Sequence, residues 1–162
     1  MNAGQQLNLA PVVKRIFVKC RTDEAFRYFT ADFQKWWPAH THSVIAMSSG
    51  GARRPAACTM DPRLGGLIVE HGENDEQYVW GTVVTWDPPR KVGFTWHPGH
   101  EPPLAQFVEV TFAGAGGGTE VVLTHGGWER LADRAAVARE RYDNGWERVF
   151  SGAYREYVEA RG

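Results

Sequence analysis

Two side chains in this sequence have the type and the placing for acid and base chemistry. His125 ends the segment Thr119–His125, whose alternation groups it with Thr119, Val121 and Leu123, and it is followed by Gly126-Gly127. An imidazole there could exchange a hydrogen bond with a bound molecule, or act as a general base if its pKa lay near neutrality. The alternative is a satisfied structural histidine at a strand end. Glu70 shares a face with Ile68 on the short apolar segment Leu67–His71, and is either an exposed strand residue or a pocket carboxylate. To work as a pair, the two would have to point into one cavity, within reach of a common substrate atom.

The other constellations do less. His40-x-His42 and His97-x-x-His100-Glu101 gather ligand-type groups, but both fall in expected loops and neither has the helical H-E-x-x-H spacing, so no metal is expected. Ser43, Ser48, Ser49 and Ser151 lack a G-x-S-x-G setting. Cys20 and Cys58 have no C-x-x-C spacing and are expected to be free, buried thiols. The run Gly114–Gly118 contains no Lys-Ser/Thr and leads into another strand, which makes it a hairpin turn rather than a phosphate loop. Arg53-Arg54 could meet an anionic group at a pocket mouth or simply be solvated. No cofactor is expected.

Composition narrows the classes further. With 18 Lys and Arg against 19 Asp and Glu in 162 residues, and no block of like charge, the chain lacks the basic patch of a nucleic-acid binder. It holds no run of 18 or more apolar residues for a membrane span, and Met1–Ala10 shows no basic-then-apolar signal pattern, so a cytoplasmic protein is expected. The length suits one domain over residues 1–162.

The elements that must position these residues read as one strand, a helical insertion, a run of strands and a closing helix. Val12–Cys20 is the first strand. Thr22 is the expected N-cap of a short helix through Ala25–Thr30, with a second one after Ala31, so that Phe26, Phe29 and Phe33 share a face and Trp36-Trp37-Pro38 ends the unit. Ala39–Ala57 has no clear period and reads as a long loop, a possible lid. Six strands follow at Cys58–Asp61, Leu67–His71, Tyr78–Trp86, Lys91–His97, Gln106–Phe112 and Thr119–His125, joined by connectors rich in turn residues, as consecutive hairpins require. An Ala- and charge-rich stretch at Leu131–Arg141 precedes Trp146, Val149, Phe150, Ala153 and Tyr157, one apolar stripe on a C-terminal helix. The result is an α+β layout with about six or seven antiparallel strands in a curved sheet around that helix.

Seven Trp, eight Phe and five Tyr must be hidden in this layout. Alternation puts Phe94 and Trp96 with Val92, and Val108 and Val110 with Phe112, on the inward face with Leu123 and His125. The strand Tyr78–Trp86 is ambiguous: Trp80, Val84 and Trp86 share one face and Val79 and Val83 the other, and Trp80 is assigned inward. With Trp37, Trp128, Trp146 and Phe150 from outside the sheet, these side chains either wall a pocket or pack into a solid core.

Several of these segments resemble those of single-domain bacterial proteins related to the C-terminal domain of the activator of heat shock protein 90 ATPase, within the START-like helix-grip superfamily. The carriers are Thr22–Thr30 with Trp36-Trp37-Pro38, Leu64-Gly65-Gly66, and Gly81–Arg90 leading to Phe94-Thr95-Trp96. They continue in Gly118–Val121, in Leu123–Trp128, and in Gly145-Trp146, taken to open the last helix. The resemblance spans about Val12 to Val158. It implies a helix-grip fold with a gap between sheet and C-terminal helix, where members of the superfamily bind hydrophobic or aromatic small molecules. Some branches are polyketide cyclases, aromatases or hydrolases.

Three functional readings follow. The leading one is a binding protein, as a monomer or homodimer, for a small hydrophobic or aromatic molecule, without established catalysis; it expects an open gap, and a gap filled by side chains would overturn a cavity of that kind. The second is a cyclase- or hydrolase-like enzyme using His125, with Glu70. The third is a co-chaperone-like or regulatory module, which would need an exposed apolar or charged patch on the outer sheet face.

Overall fold

A computed structural model describes residues 8–161. Seven antiparallel strands form one sheet in the order β1-β7-β6-β5-β4-β3-β2. The strands are β1 (Val12–Val18), β2 (Ala57–Met60), β3 (Leu67–His71), β4 (Gln77–Asp87), β5 (Lys91–Trp96), β6 (Gln106–Ala115) and β7 (Gly118–Gly126). From β2 to β7 the chain is a meander of hairpins, and β1 closes the far side against β7, with Val12 opposite His125 and Val18 opposite Thr119. Short helices α1 (Thr22–Thr30), α2 (Phe33–Trp36) and α3 (Val44–Ser48) follow β1. After a 3-10 segment at Trp128–Arg134 comes the long C-terminal helix: α4 (Ala135–Arg148), a π-helical stretch at Val149–Tyr154, and α5 (Arg155–Glu159). The α+β helix-grip architecture read from the sequence is the one observed.

Several local expectations need correction. The N-cap of α1 is Arg21, one residue earlier than Thr22. The Glu24 carboxylate accepts the Arg21 backbone N–H at 3.1 Å, while the Thr22 hydroxyl faces Thr119 at 3.3 Å. The long loop at 39–57 contains α3, whose N-cap Ser43 accepts the Ala46 N–H at 3.1 Å. The last helix does not open at Gly145-Trp146: α4 begins at Ala135, and Trp146 lies within it.

Two irregularities in β4 and one in the long helix decide which side chains reach the interior. In β4 the pairing with β3 jumps from Gly81 to Val79, and the pairing with β5 skips Val84. Each bulge adds a residue and resets the alternation. Trp80 and Val83 are therefore both buried and Trp86 packs against the core, whereas Val79 and Val84 are exposed. The expectation that Val84 would share a face with Trp80 and Trp86 fails for this reason. In the helix, the π-helical stretch likewise inserts a residue. Beyond Phe150 the buried positions are Tyr154 and Val158, with Ala153 and Tyr157 of the expected stripe only partly buried.

The inward sets of β5, β6 and β7 are buried as alternation implies. Phe29 of α1 lies at the centre of the solid part of the core, with ring centroids 5.1 Å from Trp36, 6.1 Å from Phe112 and 5.3 Å from Tyr154. Each such aromatic pair adds about 0.5–1.5 kcal/mol beyond area burial. Tyr154 also donates to the Ala25 carbonyl at 2.7 Å, which ties the long helix to α1. Gly81 is required where β4 and β5 approach: a Cβ there would run into the Thr95 carbonyl oxygen. Gly81→Ala should therefore cost about 1–3 kcal/mol, as overpacking does. Urea unfolding would read this as a lower midpoint; an unchanged midpoint would contradict the close approach.

Candidate functional site

Above the phenylalanine-rich core, the space between sheet and long helix is occupied by indole rings. Trp37 comes from the C-terminal end of α2, Trp80 from β4, Trp96 from β5 and Trp146 from α4. Ring centroids of Trp37 lie 5.3 Å from Trp80, 5.7 Å from Trp96 and 6.0 Å from Trp146. Trp96 is in turn 5.5 Å from Trp80 and 5.6 Å from Trp146. These are edge and tilted contacts at ordinary aromatic spacing. The expected open gap is thus filled in this conformation, and the filling is aromatic. Two shallow surface depressions lie elsewhere. One, of about 600 Å³, is bounded by Cys20, Arg21, Thr22 and the β6–β7 hairpin; the other, of about 350 Å³, is bounded by Val84, Gly93, Phe107 and Gly126.

Two polar groups bracket the indoles. Glu70 is fully buried, which removes the exposed-strand reading. Its carboxylate accepts the backbone N–H groups of Val44 and Ile45, both at 2.8 Å, and the Trp80 indole N–H at 3.1 Å. It therefore satisfies the start of α3 and fixes the Trp80 ring together. Its neighbour across the β2–β3 pair is Cys58, whose thiol is pushed up to about 12 by burial and by the Glu70 charge. That thiol is not a nucleophile near neutral pH.

His125 is fully buried at the other end. Its Nδ1 accepts the Trp146 indole N–H at 2.9 Å, and since indole can only donate, the imidazole proton sits on Nε2, facing Gln106 Oε1 at 3.4 Å. The ring stacks on Trp128 with centroids 4.2 Å apart and meets Tyr142 edge-on at 4.7 Å. Burial lowers its pKa to about 3. It is neutral at physiological pH and a weak base, suited to a fixed hydrogen bond rather than to proton abstraction. Both Glu70 and His125 face the interior, each holding one indole, with Trp37 and Trp96 in contact with both of those indoles.

The remaining members of the expected set are placed as follows. Phe94 and Phe150 touch Phe29 and belong to the core below, at centroid distances of 6.5 Å each. Val108, Val110 and Leu123 are buried on the inward face. Trp128 and Trp96 are buried with indole N–H groups that complete no hydrogen bond. The Trp96 N–H lies near enough to the Tyr142 hydroxyl to oppose the rise in that phenol's pKa, though burial prevails. Tyr142, Gln106 and Phe33 were not anticipated. Tyr142 precedes Trp146 by four residues, a helical spacing that the sequence does show.

Trp37 differs from the other three indoles in being only partly buried, and its N–H donates to the His42 carbonyl at 2.7 Å. His42 lies beside the long helix: burial first, then the charge of Arg148 and of His40, lowers its pKa. Among the described residues, no three His, Cys, Asp or Glu side chains gather as a metal-binding group. No helix there is long and apolar enough to cross a membrane. On the outer face, exposed Val13 sits beside Thr124 and exposed Phe17 beside Glu120, while exposed Val84 and Phe107 both border the smaller depression.

An antiparallel sheet closed by a long helix, with a buried polar and aromatic layer between them, defines a helix-grip protein. The chain belongs to the family of Activator of Hsp90 ATPase homolog 1-like proteins, whose model matches residues 19–159. No curated protein matches it. Among solved structures, it is similar to an anthrahydroquino-γ-pyrone synthase at 26% identity and TM-score 0.54, covering 86% of this chain and 90% of the other. A protein of Bacillus halodurans is 18% identical with TM-score 0.64, covering 95% and 100%. A protein from the dynemicin biosynthetic locus is 15% identical with TM-score 0.64, covering 94% of this chain and 48% of the other.

Two predictions follow from the buried polar pair. A histidine whose folded pKa is depressed contributes stability that is present above its unfolded pKa of about 6.5 and is lost as pH falls toward its folded value. Wild type should thus lose roughly 1.4 kcal/mol per pH unit below about 6.5 from this residue. In His125→Gln this component should vanish. Equal pH slopes in the two proteins would show that His125 is not buried neutral. Glu70→Ala would strip three buried N–H groups of their acceptor, at about 1–3 kcal/mol each. Its unfolding free energy should fall by at least about 3 kcal/mol, with a smaller loss in Glu70→Gln, and a loss below 1 kcal/mol would contradict the clamp.

Proposed function

We propose that this protein binds a small, flat, largely apolar aromatic molecule between the sheet and the long helix. The open cavity expected of such a protein is not there, so the reading requires a ring to be displaced; what supports it is the layer of Trp37, Trp80, Trp96 and Trp146, whose rings occupy the space between sheet and helix. Ring faces and edges are what a planar arene packs against, and a few fixed polar groups beside them orient it. The similarity to an anthrahydroquino-γ-pyrone synthase supports an aromatic, polyketide-like ligand. The partner is therefore a small molecule; the proposal needs no nucleic acid, membrane or cofactor.

The same similarity favours one second reading, an enzyme of the cyclase or hydrolase type. In it His125 would position the substrate through its fixed tautomer rather than remove a proton, because its low pKa leaves it weakly basic.

Thermal unfolding with a panel of flavonoids, naphthols and anthraquinones, with fatty acids alongside, tests the binding reading. An aromatic ligand at 100 times its Kd adds about 2.7 kcal/mol, and each kcal/mol raises Tm by about 2–4 °C at this size. At least one planar aromatic should raise Tm by roughly 5–10 °C and change the tryptophan fluorescence. No shift with any aromatic, or an equal shift with fatty acids alone, would contradict it.

A further inference from the structure

We infer that Trp37 is a self-ligand: its indole occupies the seat of a fused-ring arene and leaves that seat when the arene binds. The inference rests on the binding reading above and assigns the occupant's chemical class, two or more fused aromatic rings.

The other three rings of the layer are built into regular structure. Trp80 is pinned by its bond to Glu70, Trp146 by its bond to His125, and Trp96 by the β5–β6 pairing opposite Gln106. Trp37 lies outside the helix that precedes it, with extended backbone at φ −63° and ψ 125°, and is followed by Pro38. Its hydrogen-bond acceptor is the carbonyl of His42, five residues further along the same segment. Ring and acceptor can therefore move as one unit, and no buried donor is orphaned by the movement. Beyond that unit the chain is anchored again, where Glu70 accepts the N–H groups of Val44 and Ile45. The moving part is confined to the stretch between α2 and α3.

The seat that Trp37 vacates has the ring of Phe33 at 5.0 Å and near-parallel on one side, with Trp36, Trp80, Trp96 and Trp146 around the rest. An indole is a fused bicycle, which sets the size.

A ligand that competes with an internal ring binds with its intrinsic affinity reduced by the fraction of open protein, and minor states of this kind are populated at about 0.1–10%. Isothermal titration calorimetry with 2-naphthol on wild type, Trp37→Ala, Trp37→Leu and Trp36→Ala tests this. Trp36 is a buried neighbour that donates to the Tyr28 carbonyl and serves as the control for a core deletion. Both Trp37 variants should bind at least about tenfold more tightly than wild type, Trp37→Leu covering the case in which the alanine variant does not fold. Trp36→Ala should show no such gain. Binding by wild type with no gain in the Trp37 variants would overturn the self-ligand and leave the binding reading standing. An equal gain in Trp36→Ala would overturn it too, since any core void would then suffice. Absence of binding in all four proteins would overturn the binding reading beneath it.

Discussion

Four indoles give their N–H to an internal acceptor, and much of the interior is arranged around those four bonds, although the buried Trp96 and Trp128 N–H groups complete none. Glu70 serves Trp80, His125 serves Trp146, and the Tyr28 and His42 carbonyls serve Trp36 and Trp37. Each acceptor comes at a cost that other contacts offset. A buried carboxylate is tolerable because it also takes two backbone N–H groups at the start of α3. A buried imidazole is tolerable because it is neutral, with its proton directed at Gln106. The two residues with the greatest chemical potential in the sequence are therefore also the two that hold the aromatic layer in place.

The irregularities of the backbone serve the same layer. Without the bulges in β4, strict alternation could not bury both Trp80 and Val83 while bringing Trp86 to the core. Without the π-helical stretch, the long helix could not present Trp146 and Phe150 on one side and continue with Tyr154 and Val158. The lower half of the interior, around Phe29, is a conventional packed core. The upper half is built of rings with polar tethers, one of which belongs to a connecting segment rather than to the framework. That upper half is where the interior departs from a purely apolar core.

Much of this was legible in the sequence, for identifiable reasons. Period-two alternation correctly placed Phe94 and Trp96, Val108 and Val110, and Leu123 and His125, because β5, β6 and β7 pair without interruption. In β4 Trp80 does lie inward, but Val84 does not share its face, because an inserted residue changes the phase without leaving a compositional trace. The helical stripe was right as far as Phe150 and wrong beyond it for the same reason. The burial of Glu70 was not readable from β3 alone, since two of its donors come from Val44 and Ile45, over 20 residues away. Ser43 before the apolar Val44-Ile45-Ala46 was the available sign of α3. Whether a ring-lined gap is open or closed is a matter of side-chain conformation, to which residue type and spacing are blind.

The central claim is that one ring, Trp37, stands where a ligand would. Fluorine NMR of the protein labelled with 5-fluorotryptophan, titrated with 2-naphthol, addresses it residue by residue. The Trp37 resonance should move toward the position of a solvent-exposed indole as the arene binds, while that of Trp86, whose ring packs on Phe26 away from Trp37, stays where it is. A bound state in which Trp37 keeps its buried resonance would contradict the account.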